Sequence, residues 1–382
     1  MDSKAHVRVF NSMQELLRQL RSRVKLGRRS SDYANVDTLV SSLHYRVTSA
    51  LLLVCCALVS SRQYFGEPVL CIQDSPDDTA IPSNVLNTYC FITTTYTVIG
   101  PSGETWHGQE EEERRHAYYQ WVPFVLLMQA MLFAAPHSAW VNWEGGLVRR
   151  SLTGVKDILR DPDRDKLRIL AHYFAARLHT FHFWASGFYF CQVLNLLNVL
   201  GNAYLSDLLL GGNFFHYGLQ MSLYGIQTLD SSPSDAMFPK LTKCIFRKYG
   251  PSGTIQTHDA LCVMSLNIVN DKIFTALWFW FCLLTLVTAL SLLWSWVVFL
   301  RLTCASSFYS PWTQRVLGAP VSLDPVYIST ITRRLDCGDW LFLRLLANNM
   351  NVQVYKEFME HLVQAMEVRK HSEVTPMLTN CT

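Results

Sequence analysis

Charged side chains are absent from four long stretches of this chain. Val47–Ser61, His116–Trp143, Leu178–Ser206 and Ile273–Leu300 contain no Asp, Glu, Lys or Arg. The last three run 28, 29 and 28 residues, where about 20 apolar residues suffice to cross a bilayer as a helix. A purely soluble domain is excluded as the reading. The runs also lack midplane charge, which argues against an ion-coupled transporter with its site inside the membrane.

Other absences narrow the function. No Walker A motif, nucleophile elbow or Cys-x-x-Cys site occurs, so catalysis finds no support, and neither a cofactor nor a metal is expected. No basic cluster interleaved with aromatics lies outside membrane-flanking positions, which leaves nucleic acid without a binding face. The N-terminus shows no short apolar core followed by a small-residue cleavage site, so Val47–Ser61 is expected to be a retained signal anchor. It is the shortest span, 15 residues between Arg46 and Arg62, whose side chains would snorkel outward. No glycosylation sequon falls between the first and second or the third and fourth runs; the one match is at Asn380 to Thr382.

What is present gives the chain a sidedness. The segments 1–46, 144–177 and 301–382 carry nine, eight and eight Lys or Arg, against three in 62–115 and five in 207–272. The positive-inside rule therefore puts both termini and the middle loop in the cytosol. The two remaining loops each hold one cysteine pair, Cys71 with Cys90 and Cys244 with Cys262. An oxidising exterior permits disulfides there, and four cysteines allow three connectivities, of which bonds between the loops would tie two helical hairpins together. Cys55 and Cys56 lie inside the first span and read as packing or palmitoylation.

The outer loops read as a small stiff cap. Cys90 to Ile99 is dense in β-branched and aromatic residues and predicts a strand, while Lys248 to Gly253 predicts a turn. The first loop is acidic, and its Glu110, Glu111, Glu112 and Glu113 read either as the solvated start of a helix or as a pore mouth. In the tail, Val352, Tyr355, Phe358, Met359, Leu362 and Met366 recur at helical steps, and Asp157–Arg168 forms a helix-compatible run able to pack there. His172, His179 and His182 share one helical face without a second cluster; an interfacial polar end of span three is the simpler reading.

Tyr118, Tyr119, Gln120, Trp121 and Val122, opening span two, are similar to the signature of the innexins, the invertebrate gap-junction proteins. Further matches are Arg62, Gln63 and Tyr64 with Gly66, Pro68 and Cys71; Asn87 to Cys90; Trp143 to Gly146; and Phe238 to Cys244. The series continues through His258, Asp259, Cys262, Leu266 to Ile268, Asn270 to Ile273, Leu277 to Phe281 and Gly338 to Trp340. These cover roughly Leu43 to Trp340. The distantly related pannexins share the plan, but the wording is innexin-like.

The resemblance implies an all-α membrane protein with four transmembrane helices per subunit, a disulfide-bonded extracellular α/β cap and a helical cytoplasmic domain. Its expected divisions are 1–46, a cytoplasmic pore or funnel segment; 47–64, the first span; 65–117, the first outer loop; and 118–140, the second span. Then come 141–180, the cytoplasmic loop; 181–206, the third span; 207–272, the second outer loop; 273–300, the fourth span; and 301–382, the cytoplasmic domain. It implies a homo- or hetero-oligomeric ring of innexins, octameric or hexameric, docked to the ring of an adjacent cell at plasma-membrane gap junctions. The family pairing would be Cys71–Cys262 and Cys90–Cys244, and Pro123 would kink span two.

Two departures stand out. The N-terminus is longer and more basic than is usual in the family; its stripe of Val7, Phe10, Met13 and Leu17 would line the pore entrance or lie on the anionic inner leaflet. Family members often carry Glu after the cysteine of span three, where this chain has Gln192 after Cys191. The expected activity is passive passage of ions and small metabolites. An undocked pannexin-like hemichannel and a four-span adhesion protein are the alternatives.

Overall fold

The computed structural model describes residues 34–73, 81–99, 112–153, 164–224, 233–250, 252–304, 330–331 and 334–379. Val7, Phe10, Met13, Leu17, Glu110 and Glu111 lie outside them. In chain order the elements are α1 (Leu39–Phe65), β1 (Leu70–Ile72), α2 (Ser83–Thr93), β2 (Thr95–Ile99), β3 (Glu112–His116) and α3 (Val122–Glu144). There follow α4 (Leu147–Leu152), α5 (Arg164–Ala176), α6 (His182–Leu209), α7 (Phe214–Tyr224), α8 (Pro233–Met237), β4 (Leu241–Tyr249) and β5 (Ile255–Val263). The last three are α9 (Ser265–Cys304), α10 (Cys337–Ala347) and α11 (Val352–Thr379).

Among the described residues, four helices are long and apolar enough to cross a membrane: α1, α3, α6 and Ser265–Leu300 of α9. At most a third of each apolar window is buried within the chain. Phe124, Phe190, Leu286, Leu290 and Leu293 are among the exposed apolar side chains they carry. Apolar surface on that scale requires lipid or further subunits as its solvent. Helix α9 begins at Ser265, so Asp271 and Lys272 fall within it, ahead of the uncharged run.

The chain divides into two compact units. One comprises 43–135 and 195–289 and contains a five-stranded antiparallel sheet in the order β1-β5-β4-β2-β3. β4 and β5 form its long hairpin, Leu241 opposite Val263 through Tyr249 opposite Ile255. The turn lies where the Gly-rich spacing predicts it, with Gly250 N–H donating to Thr254 O at 2.8 Å and Gly253 at φ 78°.

The strand expected over Cys90–Ile99 needs correcting in its first half. Cys90 to Thr93 close helix α2, and β2 starts at Thr95 after Thr94 turns to φ 83°. Leu86 and Cys90, four apart, give α2 its buried face, and the hydroxyls of Thr88 and Thr93 bond back to Asn84 O (2.8 Å) and Tyr89 O (2.7 Å). Tertiary burial overrides the β preference of threonine here. The helix start expected at Glu110–Glu113 is likewise corrected: Glu112 and Glu113 belong to strand β3, paired with Ile99 and Val98.

The other unit comprises 1–42, 136–194 and 290–382. Its core is aromatic. Phe181 stacks on Phe342 at 4.8 Å and Phe174 on Phe342 at 5.6 Å, joining α5, the start of α6 and α10. α5 packs against α11, whose Tyr355, Phe358, Met359, Leu362 and Met366 are buried as the stripe predicts. Val352, placed in that stripe, is instead 66% exposed, and Val354 takes its place in the core. The residues ahead of α1 are held here too: Asn349 Nδ2 donates to Asn35 O (2.8 Å) and Trp140 Nε1 to Val36 O (3.2 Å).

Candidate functional site

The sheet unit is where the two cysteine-bearing segments meet. The structure pairs Cys71 with Cys262 and Cys90 with Cys244, closing sequence separations of 191 and 154 residues. All four side chains are buried. Cys71 lies on the three-residue strand β1, directly opposite Cys262 on β5, and its N–H donates to Asn87 Oδ1 of α2 at 2.8 Å. Cys90 reaches from α2 to Cys244 on β4. The pairs thus anchor β1 and α2 to the long hairpin.

The five signature residues serve the same purpose. Tyr118 to Gln120 form a single tight turn before α3. Gln120 Nε2 donates to Phe91 O (2.6 Å) and Ile92 O (3.2 Å), and Tyr119 OH donates to Phe91 O (3.2 Å). Those carbonyls belong to the last turn of α2, which has no intrahelical donors left for them. Tyr118 packs edge-on against Phe238 at 5.7 Å, Val122 is buried, and Trp121 is 60% exposed. The signature is therefore a clasp on α2 with one outward aromatic.

Next to it, His116 on β3 is buried and shares a 2.8 Å hydrogen bond with Thr97 Oγ1. Burial, reinforced by the nearby positive charge of Arg114, lowers its pKa to about 4. The imidazole is neutral near pH 7.

Pro123 does not kink its helix. It is the second residue of α3, where backbone N–H groups have no intrahelical acceptor to lose. The interior proline is Pro136, and the carbonyl it orphans four residues back, Leu132 O, accepts from Asn198 Nδ2 of α6 at 3.0 Å. Pro123 has another part: its carbonyl oxygen accepts from Cys56 Sγ at 3.3 Å.

Several uncharged polar groups within the apolar helices are hydrogen-bonded to one another or to backbone carbonyls. Gln129 Nε2 of α3 donates to Asn202 O (3.0 Å) and Ser206 Oγ (2.9 Å) of α6. Ser49 Oγ donates to Ala130 O (3.0 Å). In α1, the segment Leu43–Thr48 is a π-helical turn. There His44 Nε2 meets Thr288 Oγ1 at 2.8 Å, Thr48 Oγ1 donates to Leu43 O at 2.9 Å, and Trp280 Nε1 donates to Thr48 Oγ1 at 2.9 Å. Formal charge does not single out these residues; the usable signal is single His, Asn and Gln residues within apolar runs. Unsatisfied polar groups are costly in hydrocarbon, so each pair fixes how α1, α3, α6 and α9 rotate against one another.

Of the three histidines on the predicted face, His179 and His182 come together around Asp336, while His172 is exposed on α5.

Comparison with known proteins gives these elements a family. The innexin family model matches residues 37–366. Innexin inx3 of Drosophila melanogaster is 37% identical over 350 residues, covering 87% of this chain and 85% of the relative. Innexin inx2 of Schistocerca americana is 37% identical, covering 88% and 95%. Innexin shaking-B of Drosophila melanogaster is 32% identical, covering 95% and 97%. Agreement over nearly the full length, spanning the four apolar helices, the cysteine pairs and the clasp, means that the chain belongs to the innexin family of gap-junction channel subunits.

Proposed function

We propose that this subunit assembles into a ring, of eight or six copies, whose central axis is the conducting path, and that two rings dock across the gap between cells. The observation that carries this is the doubly tethered sheet, which joins both cysteine-bearing segments into one rigid face beside four apolar helices. Transport is then passive diffusion of ions and small metabolites, with no covalent chemistry. The sheet unit faces outward and both termini lie in the cytosol, following the bias of 25 of 33 Lys and Arg to one side. The exposed apolar faces of the helices contact lipid and neighbouring copies.

Two finer roles belong to this reading. Glu110 to Glu113 lie at the outer mouth and favour cations modestly, an effect that weakens at high salt. The apolar stripe of Val7, Phe10, Met13 and Leu17, in the basic N-terminal segment, lines the cytosolic entrance or lies on the anionic inner leaflet.

Expression of this chain alone in paired cells tests the proposal. Junctional current supports docking. Current through a single membrane without junctional current would replace docked rings with an undocked hemichannel, and adhesion without either current would remove the conducting role. Unchanged reversal potentials after neutralising all four glutamates would reject the mouth.

A further inference from the structure

Side chains from the segment leading into α6 and from the start of α10 meet around Asp336. His182 Nε2 lies 3.1 Å from Asp336 Oδ2. His179 Nδ1 contacts the same carboxylate oxygen and lies 3.8 Å from Asp339 Oδ2. One donor atom each from His179, Asp336 and Asp339 fall within 4.8 Å of one another. We propose that this cluster is a binding site for a divalent transition-metal ion of the zinc class, held by His179 Nδ1, His182 Nε2 and Asp336 Oδ2, with Asp339 or water as the fourth ligand.

The donor set selects the metal. Imidazole nitrogens with carboxylate oxygens suit zinc, whereas calcium and magnesium favour shells made of oxygen alone. Metal–ligand bonds of about 2.0–2.2 Å in a tetrahedron put ligand atoms about 3.3 Å apart. The 3.1 Å and 3.8 Å separations bracket that edge. The His179–Asp336 contact must open, as a hydrogen bond is exchanged for two metal bonds.

The scaffold is already fixed. Asp339 is fully buried and accepts the His179 backbone N–H at both carboxylate oxygens, 3.2 Å each, and the Asp336 N–H at 3.2 Å. It thereby holds His179 in its left-handed conformation, φ 68°. Asp336 caps α10 in a reciprocal capping box with Asp339. Meanwhile the side chains of His179, His182 and Asp336 are 56%, 58% and 43% exposed, which leaves an entry route. A bound ion would bolt the segment leading into α6 to the first turn of α10.

Equilibrium titration of the full-length, tag-free protein in detergent with Co2+, followed by competition with Zn2+, tests the site. The expected result is one Co2+ per subunit with the visible absorption of tetrahedral nitrogen–oxygen coordination, displaced by Zn2+ but not by excess Ca2+ or Mg2+. H182Q keeps the helix cap intact, and D336N keeps a capping oxygen while removing the charge. Each should weaken binding at least tenfold, and H172Q should leave it unchanged. No saturable uptake, thiolate-to-cobalt absorption, or equal affinity in H182Q and D336N would overturn the proposal. The assay reads binding alone, so its failure leaves the channel reading untouched.

Discussion

Asn198 Nδ2 donates at 3.0 Å to the carbonyl oxygen of Leu132, the acceptor that Pro136, four residues on, deprives of its backbone donor. One helix thereby supplies what its neighbour lacks. In an apolar surrounding an unpaired carbonyl is expensive, so a proline within a spanning helix persists where such a donor exists.

We predict that N198A destabilises the subunit by about 1 kcal/mol, the scale of hydrogen bonds between membrane helices. In a P136A background the backbone donor returns, and the same substitution should cost less. Thermal unfolding of the four proteins in detergent gives the double-mutant cycle. Strict additivity would show that Asn198 does not compensate for Pro136.

Two glycines should respond differently to a methyl group. A Cβ on Gly338 would meet the backbone C and O of Phe181 at 2.7 Å and His182 N at 3.0 Å. One on Gly187 would meet the indole of Trp143, at 2.1 Å from Nε1, but that ring is 45% exposed and free to swing. G338A is therefore expected to cost about 3 kcal/mol or more and G187A about 1–2 kcal/mol. W143A should relieve the second and not the first, read as yield and melting temperature after size-exclusion chromatography.

Loss of the cysteine pairs should loosen β1 and α2 first. C71S/C262S and C90S/C244S each remove a crosslink spanning more than 150 residues, and each is expected to cost about 2–5 kcal/mol. Hydrogen exchange is the appropriate readout. C71S/C262S should speed exchange in β1 most, because three residues of pairing hold little alone. Uniform change across the sheet would contradict that local role.

His116 gives the sheet unit a pH dependence of predictable sign. Its folded-state pKa of about 4 lies below the ordinary 6.5, through burial and then Arg114, so the unfolded chain binds the extra proton first. The full stability contribution is present above pH 6.5 and is lost as pH falls towards 4. The total is at most about 3 kcal/mol. H116Q should flatten this part of the stability profile in the denaturation midpoint; an unaltered profile would show that other groups carry the acid sensitivity.

Much of this architecture was legible in the sequence, and the gaps have physical causes. Charge-free runs locate all four apolar helices because hydrocarbon excludes ionised groups. The start of α9 escaped that test, since Asp271 accepts a 2.7 Å bond from Tyr217 OH and is buried within the helix. The span Cys90–Thr93 looked like strand because local preference is blind to Leu86 and Cys90 packing on one face. Of the two prolines of α3, only the interior Pro136 removes a helical bond, and the sequence does not show that the helix starts one residue before Pro123. The histidine cluster lacked a visible partner because Asp336 is 157 residues from His179. Contacts across such distances leave no periodic trace.

The π-helical turn at Leu43–Thr48 has a geometric consequence for α1. Each residue beyond the ordinary complement of a turn sets the helix back by about 100° of rotation. A helical wheel drawn straight from Leu39 to Phe65 thus misassigns every position on one side of the bulge. Single-cysteine labelling along α1 should trace two angular tracks, offset from each other at Leu43–Thr48 by about 100° for each extra residue.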